Sequence, residues 1–261
     1  MFEAILFDLD GTLLDIDMEF FLGRYFQEMG EMAAGQGFEE SKLLMEQILK
    51  STDVMIRDKN PYITNEDVFM QHFFSCLPVD EEKTRAFFEE FYRTGFPRLE
   101  KYAAAFSGVR QMMSGVFASG AKVVVATNPV FPRAAIQMRL DWADVGHFPY
   151  DLITSYEVMH YCKPHAQYYQ EIADYLGVQP ADCLMVGNDR AEDLVAGLVG
   201  MKTFLVEDRL IDRGSDQFTP DWKGRLPGLF SFMEKVTQKR RKKMVKATSS
   251  TLAEGKYIET M

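Results

Sequence analysis

Cysteine is scarce: three residues (Cys76, Cys162 and Cys183) in 261 do not make a disulfide framework and fit a reducing compartment. No apolar run approaches the ~18 residues of a membrane span. The opening Met1-Phe2-Glu3-Ala4-Ile5-Leu6-Phe7-Asp8 has no basic leader before a long apolar stretch. A secretory signal is therefore not expected, and the expected location is cytoplasmic, with no membrane partner. Cations are in deficit, 29 Lys and Arg against 39 Asp and Glu, for a net charge of −10. That balance argues against nucleic acid as the main partner, because phosphate backbones need clustered cations. No internal repeat is present. With 47% hydrophobic and 26% charged residues, the composition excludes a disordered, collagen-like or coiled-coil chain. The length suits one large domain or two modest ones.

Short apolar runs ending in turn residues read as strands buried on both faces. Ala4-Ile5-Leu6-Phe7 ends in Asp8-Leu9-Asp10-Gly11-Thr12, and Val123-Val124-Val125-Ala126 ends in Thr127-Asn128-Pro129. Cys183-Leu184-Met185-Val186 ends in Gly187-Asn188-Asp189. Leu152–Ser155 is weaker, and Thr203–Val206 is last. Helical patterns lie between them, at roughly 108–118, 130–140, 164–176 and 189–199. This alternation predicts an α/β fold, a Rossmann-like parallel sheet flanked by helices.

The alternation stops between about residues 16 and 107. That stretch has no convincing strand but has amphipathic patterns near 17–30, 39–50, 65–77 and 80–94. Phenylalanine is dense there, from Phe20 and Phe21 to Phe96 and Phe106, at the spacing of a helical-bundle core. The predicted division is therefore an α/β core from residues 1–15 and 108–236, an inserted all-helical domain over 16–107, and a tail over 237–261. The last core helix, Leu226 to Val236, opens with Pro227 and runs into the basic cluster Lys239-Arg240-Arg241-Lys242-Lys243. After Ala247 the chain is polar and expected to be loosely ordered.

An open parallel sheet binds ligands beyond the carboxyl ends of its strands. Asp8 and Asp10, two apart in an extended chain, point to the same side. The second strand ends in the Thr127 hydroxyl and the Asn128 amide, and Lys163 follows the Leu152 strand. Asp189 and Asp193 share one face if a helix begins at Asp189. Converging acids require a cation, and an oxygen-only set without His or Cys suits Mg²⁺. Add a hydroxyl and a lysine to bind an anion, and the set describes phosphoryl transfer through an aspartyl-phosphate. An Asp carboxylate as nucleophile needs no base to activate it, since it is expected to be ionised at pH 7.

Four ordered motifs carry a family resemblance over roughly residues 3–236. Asp8-Leu9-Asp10-Gly11-Thr12-Leu13 resembles the DxDGT signature of the haloacid dehalogenase superfamily. Thr127-Asn128, Lys163-Pro164 and Gly187-Asn188-Asp189 with Asp193 are similar to its other three motifs. The resemblance implies Asp8 as nucleophile and Asp10 as acid and base, with Thr127, Asn128 and Lys163 on the phosphoryl group. It implies Mg²⁺ held by Asp8, the Asp10 carbonyl, Asp189 and Asp193, and a helical insert that closes as a mobile cap. Asp10 marks the phosphatase branch, since the dehalogenase branch attacks carbon and lacks it.

The expected reaction is hydrolysis of a small phosphorylated metabolite. A phosphomutase uses the same motifs, and a receiver-type signalling domain pairs Asp, Mg²⁺, Thr and Lys in a different chain order. His147, His160, Cys162 and His165 fit no closed zinc site by spacing. Arg57, Asp58, Lys59 and Asn60 form a polar loop in the insert that is a candidate for substrate recognition, with Arg24 and Arg133 as weaker ones. The basic run 239–243 reads as a solvated helix end.

Overall fold

The computed structural model describes residues 1–38, 41–214 and 218–255. The chain opens with β1 (Ala4–Phe7) and a short β2 (Leu14–Ile16). Four helices follow: α1 (Met18–Gly35), α2 (Ser41–Arg57), α3 (Asn65–Cys76) and α4 (Glu81–Glu90). A π-helical turn (Phe91–Gly95) and a 3₁₀ helix (Phe96–Tyr102) lead into β3 (Ala103–Ala105). The remainder alternates: α5 (Val109–Phe117), β4 (Lys122–Val125), α6 (Arg133–Trp142), β5 (Leu152–Ile153), α7 (Ala166–Leu176) and β6 (Cys183–Gly187). A 3₁₀ helix (Asp193–Val199), β7 (Lys202–Val206), β8 (Trp222–Gly224) and α8 (Leu226–Gly255) complete it.

Six strands form one parallel sheet in the order β5-β4-β1-β6-β7-β8. β1 is central and wholly buried, as its unbroken apolar run requires. Its side chains alternate between two cores: Ile5 and Phe7 pack on one face, Ala4 and Leu6 on the other. The helices of the insert pack against the first of these cores through Phe21, Met29, Phe73 and Phe96. Burying these rings is what holds the insert together, at roughly 1.5–3 kcal/mol per large side chain.

The observed elements depart from the sequence expectation in three places. The insert is bounded by an antiparallel β2–β3 ladder, Leu14 opposite Ala105 and Ile16 opposite Ala103, where no strand was expected. Two three-residue strands show no periodicity, and alanine has little strand preference. No α-helix begins at Asp189; a turn precedes the 3₁₀ segment. The expected tail is not set off at 237, because α8 runs on unbroken to Gly255. Lys and Arg are good helix formers, and the helix is tied back to the core. Thr237 is buried, Arg240 donates to the Phe2 and Gly120 carbonyls, and Arg241 donates to the Gly115 carbonyl. Beyond Ala247 the helix is described as far as Gly255, and residues 256–261 lie outside the described residues. No described helix is long and apolar enough to cross a membrane.

Candidate active site

β1, β4 and β6 are neighbours, so the residues just beyond their carboxyl ends meet at one edge of the sheet. The Asp8 amide still donates to the Val186 carbonyl (2.8 Å), so Asp8 stands on the last rung of β1. Beyond it the chain turns sharply at Gly11, whose φ of +85° favours glycine. Asn188 braces this turn, accepting from Thr12 Oγ1 (3.2 Å) and donating to the Arg209 carbonyl (2.6 Å).

Asp8, Asp10, Thr127, Asn128, Asp189 and Asp193 all line one cavity of about 360 Å³. Lys163 does not line it. Its side chain is 1% exposed and lies behind the acids, donating from Nζ to Asp8 Oδ1 (2.9 Å) and Asp193 Oδ1 (2.6 Å). Lys163 therefore acts on the acids from behind rather than from the cavity wall. The side chain of Asn128 holds it there: Oδ1 accepts from the Lys163 amide (3.2 Å) and Nδ2 donates to the Lys163 carbonyl (3.4 Å). Thr127 is fixed through its carbonyl, which accepts from Thr154 Oγ1 and the Tyr168 hydroxyl, both at 2.8 Å.

Asp189 and Asp193 are arranged by hydrogen bonds instead of a shared helical face. Asp189 Oδ1 accepts from the Ala191 and Glu192 amides (2.8 and 3.0 Å), and its own amide donates to Asp193 Oδ2 (2.9 Å). The Asp193 carboxylate occupies the space a side chain at 187 would need, since a Cβ on Gly187 would overlap it. Gly187→Ala is therefore expected to displace Asp193 and lower stability by about 1–3 kcal/mol. An unchanged urea midpoint in this variant would contradict that packing.

Three groups of the site carried no motif signal. Arg139, on the inner face of α6, is 1% exposed; its Nη1 pairs with Asp10 Oδ2, and its guanidinium lies over the Phe131 ring (4.6 Å). An arginine among Ala135, Ile136 and Leu140 on an otherwise apolar face was the signal available. Arg213 donates to Asp189 Oδ2 (2.6 Å) from a half-exposed arm. Glu192 lines the cavity and accepts from Asn128 Nδ2 (3.3 Å).

Burial pushes the Asp8 carboxyl up to about 8, with Lys163 opposing and the charges of Asp193 and Asp10 reinforcing the rise. Lys163 is raised despite its burial, held charged by Asp193 and Asp8. The expectation that Asp8 is simply ionised at pH 7 therefore fails for the protein groups alone, because desolvation outweighs one lysine. With a bound cation to hold them all ionised, five carboxylates (Asp8, Asp10, Asp189, Glu192 and Asp193) would face three protein cations (Lys163, Arg139 and Arg213). Two negative charges are left over, which matches a divalent cation, and the hard oxygen donors suit Mg²⁺. Among the described residues no three His, Cys, Asp or Glu side chains converge as a ready-made cage. Asp10, Asp189 and Asp193 are turned to Arg139, Arg213 and Lys163 respectively.

The other candidates lie elsewhere. His160 Nδ1 bonds Glu171 (2.6 Å), His165 Nε2 donates to the Ile56 carbonyl (2.8 Å), Cys162 is buried and His147 packs on Phe148. Arg57 pairs with Asp53 one helical turn earlier (2.9 Å). Asp58 and Asn60 accept from the amides of Asn60 and Tyr62, and none of these residues reaches the cavity. Arg24 lies over Phe20 and Tyr102, and the backbone of Arg133 donates to Glu157. Most of the dense phenylalanines are core or pack against it, as expected, whereas Phe20 is half exposed, and Phe26, Phe69 and Phe88 also wall the cavity.

A parallel sheet with clustered acids at the carboxyl ends of its central strands defines an α/β enzyme. The chain belongs to the haloacid dehalogenase-like hydrolases, whose family model matches residues 2–199. It is 26% identical over 228 residues to pyrophosphatase PpaX of Bacillus cereus, covering 84% of this chain and 90% of that one. It is 25% identical over 199 residues to phosphonoacetaldehyde hydrolase of Bacillus mycoides, covering 75% and 71%. Its fold is similar to the crystal structure of a HAD phosphatase from Thermococcus onnurineus (TM-score 0.54, 20% identity, 88% and 97% covered).

Proposed function

We propose that the protein is a Mg²⁺-dependent phosphatase that cleaves a phosphomonoester through an aspartyl-phosphate on Asp8. The observation that carries this reading is a buried carboxylate at the cavity floor, 2.9 Å from Lys163, with a second carboxylate two residues on. Asp8 attacks phosphorus as the bond to the leaving oxygen breaks, and Asp10 gives that oxygen a proton. Asp10 then takes a proton from water, which attacks the same phosphorus and frees Asp8 and phosphate. Asp10 Oδ2 is held by Arg139, whereas buried Oδ1 has no partner and is the oxygen left for the proton. The Thr127 hydroxyl is suited to hold a phosphoryl oxygen, and Lys163 keeps Asp8 aimed at phosphorus.

Asp8, the Asp10 carbonyl and Asp189 would hold Mg²⁺, Asp193 supporting them from behind. The half-exposed Arg213 is the contact that the ion would replace on Asp189. When bound, the ion supplies the positive charge that keeps Asp8 ionised and offsets the phosphoryl oxygens. A phosphomutase uses the same groups, and no observation here favours it.

Phosphate release from p-nitrophenyl phosphate is expected to stop with EDTA and return with Mg²⁺. Mg²⁺ at about 100 times its Kd should also raise the melting temperature by roughly 5 °C or more. EDTA-resistant turnover would refute the metal assignment.

A further inference from the structure

We propose that the ester cleaved here has an apolar, uncharged leaving group, such as an alkyl or aryl alcohol, and is neither a sugar phosphate nor a pyrophosphate. This inference rests on the phosphatase reading and concerns the other end of the same cavity. Above the acids the wall comes from the insert: Leu22, Phe26 and Met29 of α1, Ile48 of α2, Phe69 of α3 and Phe88 of α4. Among the described residues, no charged side chain of the insert lines the cavity.

The insert offers few polar atoms there, and these bond first to one another or to their own helix. Thr52 Oγ1 donates to the Ile48 carbonyl of its own helix (2.9 Å). The hydroxyls of Tyr25 and Tyr92 bond each other (2.9 Å). A sugar's several hydroxyls would lose their water against a lining that beyond the acid end offers only these hydroxyls and that of Tyr156, too few to replace it, which penalises such a substrate. The terminal phosphate of a pyrophosphate would need cations. Among the described residues lining the cavity, Arg213 is the one cation, and it stands beside Asp189 at the acid end, so the wall of the insert offers a second phosphate none. An alkyl or aryl group needs nothing but the apolar contact and room that the insert supplies, in a cavity of ordinary size for a small organic ligand. The bonds made and broken are those of the reading above, with the alcohol leaving as its alkoxide oxygen takes the Asp10 proton.

The test is a series of esters with chemically similar leaving oxygens, assayed with Mg²⁺: methyl, n-butyl and n-hexyl phosphate against glycerol 3-phosphate and glucose 6-phosphate, with the anhydride pyrophosphate, whose leaving group is the better one, beside them. The value of kcat/KM is expected to climb along the alkyl series and to exceed that of the polar esters by about 10²-fold for n-hexyl phosphate. Leu22→Asn is expected to shrink the hexyl-to-methyl ratio by about tenfold. Should that variant fail to fold, Leu49→Asn on the exposed rim is expected to shrink the same ratio, though less. Turnover of glycerol 3-phosphate, glucose 6-phosphate or pyrophosphate equal to or above that of n-hexyl phosphate overturns this inference and leaves the phosphatase reading intact. A ratio unmoved by either substitution also overturns it. No phosphate release from any member of the series removes the phosphatase reading and, with it, the inference.

Discussion

Asp8→Asn is expected to lower phosphate release by at least about 10⁴-fold, the scale on which removing a covalent nucleophile acts. The amide matches the carboxylate in size, so it keeps its place at the end of β1, but it cannot form the ester to phosphorus. Folding is not expected to suffer. Lys163 keeps Asp193 at 2.6 Å, and the variant no longer has to bury the charge that desolvation disfavours at position 8. A second consequence concerns pH. The Asp8 carboxyl titrates higher in the folded chain than in the unfolded one, so the folded state holds a proton that the unfolded state has released. In EDTA, wild-type stability should therefore fall as pH rises from the ordinary carboxylate range towards about 8, and Asp8→Asn should lack that part of the slope. Urea midpoints from pH 4 to pH 8 on both proteins check this. Wild-type turnover by the variant would dismiss Asp8 as nucleophile.

Most of what gathers the acids was legible before any coordinates. β1, β4 and β6 are continuous apolar runs that stop at Asp8, Thr127 and Asn188, and a strand buried on both faces has that signature. Once those runs are parallel neighbours, the residues after them must meet, and the cavity brings Asp8, Asp10, Thr127 and Asp189 to one wall. The features that stayed hidden are those whose order comes from distant partners. β8 is Trp-Lys-Gly, three residues with no pattern, recruited by pairing with Phe204–Val206. Where an α-helix was expected from Asp189, a 3₁₀ segment begins at Asp193, whose carboxylate folds back onto the Asp189 amide and packs against Gly187. Arg139 and Arg213 belong to no motif, and their roles arise only when α6 and the loop after β7 bring them to Asp10 and Asp189. The tyrosines of the insert form no motif, and only the structure places Tyr25 and Tyr92 on the cavity wall with their hydroxyls paired.

Asp10→Asn should cost both activity and stability, and the two losses have separate origins. General acid–base catalysis contributes about 10²–10⁴-fold, and turnover of an ester with an alkoxide leaving group is expected to drop by that factor. The stability loss comes from the partner. The side chain of Arg139 is 1% exposed and that of Asp10 is 12% exposed, so the arginine is the member with no route to water. Removing the charge of Asp10 strands a buried guanidinium, which costs on the order of 3 kcal/mol, eased by the Phe131 ring over which it lies. Arg139→Met is expected to cost less, because the Asp10 carboxylate it leaves behind lines the cavity and can be hydrated. The double variant should then be more stable than Asp10→Asn alone, since no unpaired buried charge remains. Arg139→Met alone should also change the pH profile of kcat, because the group that donates and takes the proton has lost its fixed positive neighbour. Urea midpoints for the two single variants and the double variant separate the pair from the sum of its parts. Strict additivity of the two substitutions, with an unaltered pH profile in Arg139→Met, would show that Arg139 neither holds nor tunes Asp10.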